Sequence, residues 1–255
     1  MEMLTTKGPV RIAEIWFDDD LRTAGADIVR FRNRSTPVEE GRCLEWHTLI
    51  VDLTQEAAVI ETEIKSDTRY AIRRAAAKDE LTYNYHDQPG DDAMESFLGF
   101  YNEFARATGL PAVKLAHLGL MRDTRKLILT NVKTADGEDL VWHSYLCGSN
   151  QVRLLHSASL FRTVDNSKYR QRVGRANRYH HWRDFLKLKE AGFRTYDFGG
   201  WYAGSDDPDK VRINRFKEEF GGTVVPTYYG EVALTMLGKA ALKLKRAWDK
   251  GVSHG

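Results

Sequence analysis

Three strand candidates in succession, 126–133, 139–147 and 151–160, are joined by Ala135-Asp136-Gly137 and Gly148-Ser149-Asn150, turns suited to tight hairpins. Such a run folds as an antiparallel meander, and the rest of the chain must be built around it. Ahead of the meander a strand is expected at 81–85. Gln88-Pro89-Gly90 then breaks the chain, and a helix starts at Asp91 or Asp92 and runs to 108, with Met94, Phe97, Leu98, Tyr101 and Phe104 at helical spacing. Gly109-Leu110-Pro111 stops that helix, and a shorter one follows at 114–122. After the meander the pattern predicts a helix at 173–191, a strand at 194–198, a helix at 209–220, a strand at 224–229 and a closing basic helix at 232–250. The first part reads as short β-prone runs at 11–17 and 27–31, a stronger strand at 46–53 and a helix over 55–78. The fold class is α/β, with a mixed, mainly antiparallel sheet flanked by helices.

Composition removes several alternatives. With 255 residues, 42% of them hydrophobic and 11% aromatic, the chain can bury a large core and is not disordered. A formal charge of +2 argues against a surface that is one polyanion clamp, while leaving local patches open. Cys43 and Cys147 lie far apart without metal or redox spacing and read as inert buried thiols. The first nine residues have no apolar signal-like core, and no stretch approaches the ~20 apolar residues of a span, so a cytoplasmic protein is expected.

Several segments carry chemistry. In Gln171-Arg172-Val173-Gly174-Arg175-Ala176, a glycine and a small alanine permit close backbone approach where a helix is expected to begin. Free N–H groups and the helix dipole would there face an anion. Residues 162–194 carry ten basic side chains against Asp165, Asp184 and Glu190, a local balance of +7. Lys65, Arg69 and Arg73 recur every four residues on one helix face, either as a solvated stripe or as a site for the phosphate or carboxylate of an acceptor. Asp197 stands before Gly199-Gly200 at a strand end, where it either orients an amine or lysine or caps the glycine amides; Trp201 lines that end or covers the sheet edge. His143, Tyr145, His156 and Ser157 lie on the central strands, and His156 is the preferred base among them. The adjacent His180 and His181 point to different helix faces, and no metal site is expected. The C-terminal helix sets Lys239, Lys243, Lys245, Arg246 and Lys250 opposite Leu237, Ala241, Leu244 and Trp248, which suits a docked amphipathic helix, an anionic membrane surface or RNA.

The element order from 81 to 229 resembles the GNAT acyltransferase fold, and Gln171–Ala176 matches its Gln/Arg-x-x-Gly-x-Gly/Ala pattern. The segments 64–75, 196–200 and 215–222 are similar to signatures of the FemABX branch, which contains aminoacyl transferases of peptidoglycan bridge synthesis. The resemblance implies an N-acyltransferase acting by direct attack in a ternary complex. Its donor would be acyl-coenzyme A, slightly favoured on the loop match, or aminoacyl-tRNA. The acceptor would be an amine of a cell-wall, polysaccharide or natural-product precursor. No permanently bound cofactor is implied.

By the same resemblance Gln171, Arg172, Gly174, Arg175 and Ala176 would hold the donor. Lys217 would be the functional cation with Phe216 beside it, Arg215 a weaker candidate, and the acyl arm would lie between two splayed strands near Asp197 and Trp201. FemABX proteins resemble two tandem GNAT domains, whereas this chain has about 80 residues ahead of its complete copy. The expected division is therefore 1–79 as an incomplete GNAT-like region, 80–231 as the complete domain and 232–255 as the basic helix. Rival readings are a non-catalytic module binding RNA or anionic membrane, and a scaffold in a biosynthetic complex.

Overall fold

A computed structural model of the protein describes residues 2–18, 25–159 and 166–252. Two compact units divide the chain: 49–224, and a smaller one made of 1–48 with 225–255.

The larger unit holds the meander. Its strands are β5 (Thr82–His86), β6 (Leu127–Lys133), β7 (Asp139–Cys147), β8 (Gln151–Ser159), β9 (Thr195–Trp201) and the end of β4 (Arg42–Asp52), in the order β4-β9-β8-β7-β6-β5. From β5 to β8 the ladders are antiparallel. β8 and β9 are parallel, which the helical crossover between them makes possible. The described helices of this unit are α1 (Ala57–Glu63), α2 (Ser66–Lys78), α3 (Asp91–Thr108), α4 (Leu115–Asp123), α5 (Ser167–Glu190) and, after β9, α6 (Pro208–Glu218).

Strand alternation sorts the sheet's two faces. Tyr145, Val152, Tyr196 and Phe198 turn toward α5 and join Val173, Ala176, Phe185 and Leu188 in the main core. Trp142 and His156 turn the other way, toward Phe97 and Tyr101 of α3. Leu49, Val51, Leu53, Ile60, Ile64, Ile72 and Ala75 belong to the same core as Tyr196 and Phe198. That shared core is why the boundary expected at 79 does not appear: β4's end, α1 and α2 pack on the meander sheet instead of forming a unit with the first strands.

In the smaller unit β1 (Glu2–Lys7), β2 (Val10–Trp16), β3 (Ile28–Arg34) and the later part of β10 (Thr223–Ala233) lie in that order. β2 and β3 are parallel and the other pairs antiparallel. α7 (Met236–Val252) packs here, Leu242 against Val10, Ile12 and Ile28, so the C-terminal helix goes with the first strands rather than standing alone.

Three further expectations need correction. The helix over 55–78 is two helices, because Ile64 and Lys65 are extended, with ψ of 134° and 146°. Lys65 N–H donates to Glu219 O at 2.8 Å there, and the Arg69 guanidinium covers the carbonyls that end α1. The helix expected from 173 starts at Ser167, with Asn166 Oδ1 accepting from Lys168 N and Tyr169 N as its cap. β10 keeps pairing with β3 as far as Ala233, which delays the closing helix to Met236. No described helix is long and apolar enough to cross a membrane.

Candidate active site

β8 and β9 pair at Gln151↔Thr195, Val152↔Tyr196 and Arg153↔Asp197, and the ladder goes no further among the described residues. Close to that point β8 carries a bulge. Ser144 faces His156 but Tyr145 faces Leu154, so Leu155 is the extra residue. Bulges bend and twist a strand, and this one stands where β8 turns away from β9. The two strands therefore part at their C-terminal ends, as the resemblance implied, and ends of this kind are where open sheets hold ligands.

Asp197 and Arg153 mark the parting. Arg153 Nη1 donates to Asp197 Oδ2 at 2.6 Å, and both side chains are almost fully buried. The other carboxylate oxygen accepts from Gly199 N at 2.7 Å. Asp197 thus does cap the glycine turn, and it also anchors a buried cation that sequence reasoning missed. An arginine between Val152 and Leu154 on a buried strand was the available signal. Gly199 has φ +78°, and a Cβ there would lie 3.2 Å from Leu154 O, so the turn favours glycine in both conformation and space.

Lys217 reaches this turn from α6. Its Nζ donates to the carbonyl oxygens of Gly199 (3.4 Å) and Gly200. Burial lowers its pKa to about 8, with Asp197 opposing and Arg153 adding to the shift. Phe216 is half-buried, 5.4 Å from Phe220 and 5.7 Å from His181, with the Arg178 guanidinium 5.3 Å from its ring. It packs the helix that carries Lys217. Trp201 Nε1–H donates to Glu218 Oε1 at 2.9 Å, tying the last residue of β9 to the same helix. Arg215 is exposed.

His156 lies on the same sheet face as Arg153 and Asp197 by strand alternation across the bulge. Its Nδ1 pairs with Ser144 Oγ at 2.7 Å, and its ring sits 4.8 Å from that of Tyr101. Burial, helped by His117, lowers its pKa to about 4.

The Gln171–Ala176 segment lies inside α5, beyond its first turn, which corrects the expectation of free amides at Gly174 and Ala176. Helix-interior amides bond to carbonyls four residues back. Arg172 donates to Asp79 O at 2.7 Å, and Arg175 makes two 2.8 Å bonds to the Asp79 carboxylate, so both fasten α5 to the end of α2. Gln171 is exposed. The +7 balance is likewise reduced by partners from outside the segment, Asp79 for Arg175 and Glu219 for Arg178. Arg162, Asp165 and the loop before α5 lie outside the described residues.

Lys65, Arg69 and Arg73 are not a uniform stripe. Lys65 is the exposed residue before α2. Arg69 is spent on the α1 carbonyls. Arg73 pairs with Glu61 at 2.8 Å and borders an open groove of about 590 Å³ lined also by Tyr179, Trp182 and Arg183.

Beneath α5 lies a buried polar network. Asp184 accepts from Tyr83 Oη (2.9 Å) at one oxygen, and from Tyr145 Oη (2.6 Å) and His143 Nδ1 (2.7 Å) at the other. Tyr145 meets Tyr196, which meets His181 Nδ1 at 3.0 Å. His180 stacks on His143 at 3.9 Å and bonds Thr130 Oγ1. The two adjacent histidines do point to different surroundings, yet both are fully buried, and burial holds the pKa of each well below the usual range. His143, His181 and Asp184 each offer a ligand atom within 4.8 Å of the others, a donor set of zinc-binding type. A cation there would have to displace the donors already on Asp184 Oδ2. A lone acid at 184 within the basic run 167–189 was the sequence signal for this network.

No protein-family model matches the chain. No curated protein matches it in sequence. Solved structures do match in shape. FemX aligns with a TM-score of 0.68 over 95% of this chain and 85% of its own, at 10% identity. The C-terminal domain of a putative lysylphosphatidylglycerol synthetase from Agrobacterium fabrum aligns at 0.55 over 95% and 83%, with 15% identity. L-PGS from Bacillus licheniformis aligns at 0.55 over 96% and 84%, with 12% identity. At such identities the likeness is one of fold, and the chain has a GNAT-like fold similar to that of FemX.

Proposed function

We propose that the protein transfers an activated acyl or aminoacyl group to an amine at the parting of β8 and β9. The observation that carries this reading is Lys217, a partly buried cation held on the last glycines of β9 beside the Asp197–Arg153 pair. The amine attacks the donor's carbonyl carbon and forms a tetrahedral oxyanion. Its collapse breaks the bond to the carrier, which leaves as thiolate or alkoxide and takes up the proton that the ammonium sheds. Lys217 supplies positive charge for the oxyanion, and its pKa of about 8 keeps it mostly charged at neutral pH.

Asp197 acts as a positioning residue that fixes the Gly199 turn and favours the charged lysine. His156, with a pKa of about 4, is too weak a base to take a proton from an ammonium group and serves instead to orient. Trp201, Phe216 and Arg215 set the position of α6 and the rim of the site. The donor is a phosphate-bearing carrier, and acyl-coenzyme A and aminoacyl-tRNA both fit that description. Since Arg172 and Arg175 are engaged with Asp79 and Asn166 already caps the Lys168 and Tyr169 amides, its phosphates fall to the exposed side chains of Lys168 and Arg170 on the first turn of α5. Lys65 and Arg73 remain as acceptor contacts.

Thermal-shift measurements with coenzyme A, acyl-coenzymes A and charged tRNA test this reading. A true donor at about 100 Kd raises Tm by roughly 5 °C. No shift with any of them, alongside salt-sensitive binding of uncharged RNA, contradicts it.

A further inference from the structure

The outward face of α7 is unlike the rest of the surface. Four of the twelve exposed large apolar side chains among the described residues, Leu234, Met236, Leu237 and Leu244, fall within eleven residues of each other at its start. Met236 is 79% exposed and Leu244 73%. At about 100° per residue, Met236, Leu237, Ala240 and Leu244 share one stripe about 100° wide, with Lys239 and Lys243 along one border.

The helix is firmly seated by its opposite side, so this stripe is a built surface. A Cβ at Gly238 would lie 2.1 Å from Asp27 O. Leu242 is buried against Val10, Ile12 and Ile28. Lys245 pairs with Glu231 at 3.0 Å. Asp27 O accepts from Leu234 N, and its carboxylate accepts from Thr235 Oγ1 at 2.8 Å, fixing the entry to the helix.

We propose that this face docks on an anionic lipid bilayer. An apolar stripe bordered by cations on a helix anchored from behind is the form that lies in a membrane interface. Lys239 and Lys243 are exposed and stand next to the stripe, complementing a negative headgroup layer.

The test uses the full chain, with vesicles of phosphatidylcholine alone and of phosphatidylcholine mixed equally with phosphatidylglycerol. The wild type is expected to co-sediment with the anionic vesicles and to be released by salt. Met236→Glu with Leu244→Glu lowers partitioning at least tenfold while leaving Tm unchanged. Lys239→Ala and Lys243→Ala each lower it about fivefold at low salt. Equal recovery of wild type with both vesicle types overturns the proposal, as does equal partitioning of the Glu variant. A wild-type dimer that Leu244→Glu dissociates also overturns it, because the stripe is then covered by a second copy.

Discussion

Arg153 and Asp197 are the last residues to pair β8 with β9, and their side chains join at 2.6 Å at the point where the strands part. The pair is almost fully buried, so removing one partner leaves an uncompensated charge. Arg153→Met and Asp197→Leu are each expected to cost about 3–5 kcal/mol in urea unfolding. The double variant recovers most of that loss, less the acceptor for Gly199 N. Additive losses would show that the two do not act as a pair.

Lys217 should titrate far below an ordinary lysine. Competitive amine labelling read by mass spectrometry is expected to give a midpoint near its pKa of about 8, against about 10.4 for free lysines. The shift has a consequence for stability. Between about 8 and the unfolded value the folded chain binds fewer protons, so stability rises with pH in that window. Lys217→Met removes this slope, which urea midpoints across the range will detect.

Three buried histidines, two on α5 and one on the α3 face of the sheet, give the opposite edge of the pH profile. His156, His180 and His181 all have lowered pKa values, mainly from burial. Below about 6.5 the unfolded chain takes up protons that the folded chain refuses, so stability falls with acidification from there toward pH 4, before most carboxylates titrate. A flat urea midpoint between pH 7 and pH 5 would contradict the burial of these three histidines.

Asp184 holds three donors, and its neighbours differ in what their loss exposes. Tyr83→Phe removes one bond and is expected to cost about 1 kcal/mol. Asp184→Leu removes the buried acceptor of Tyr83, Tyr145 and His143 together and is expected to cost more than ~3 kcal/mol. Thermal unfolding of the two variants measures the difference.

The element order was legible because it rests on local signals: the hairpin turns, the helical spacing from Met94 to Phe104, and glycines at helix ends. The Gly221-Gly222 ending even carries a reason in space, since both have positive φ and a Cβ at Gly222 would lie 2.3 Å from Ile50 O. Signatures of sequence singled out Lys217 and Asp197, and both side chains bond the turn at Gly199 and Gly200. What stayed hidden is long-range pairing. Nothing near Arg175 points to Asp79, 96 positions away, and nothing near Arg178 points to Glu219, so a row of fastened arginines read as a free basic patch. The start of α5 was misplaced for a related reason. A glycine at 174 is tolerated inside the helix, although glycine usually marks a helix's edge.

The most direct test of acyl transfer at this site is product formation by the purified protein, followed by mass spectrometry with a panel of acyl-coenzymes A and charged tRNAs over primary-amine acceptors. The proposed mechanism predicts an amide product with at least one donor, and a kcat lowered about 10² or more in Lys217→Met with no loss of Tm. No product with any donor, or unchanged turnover in Lys217→Met, would contradict it.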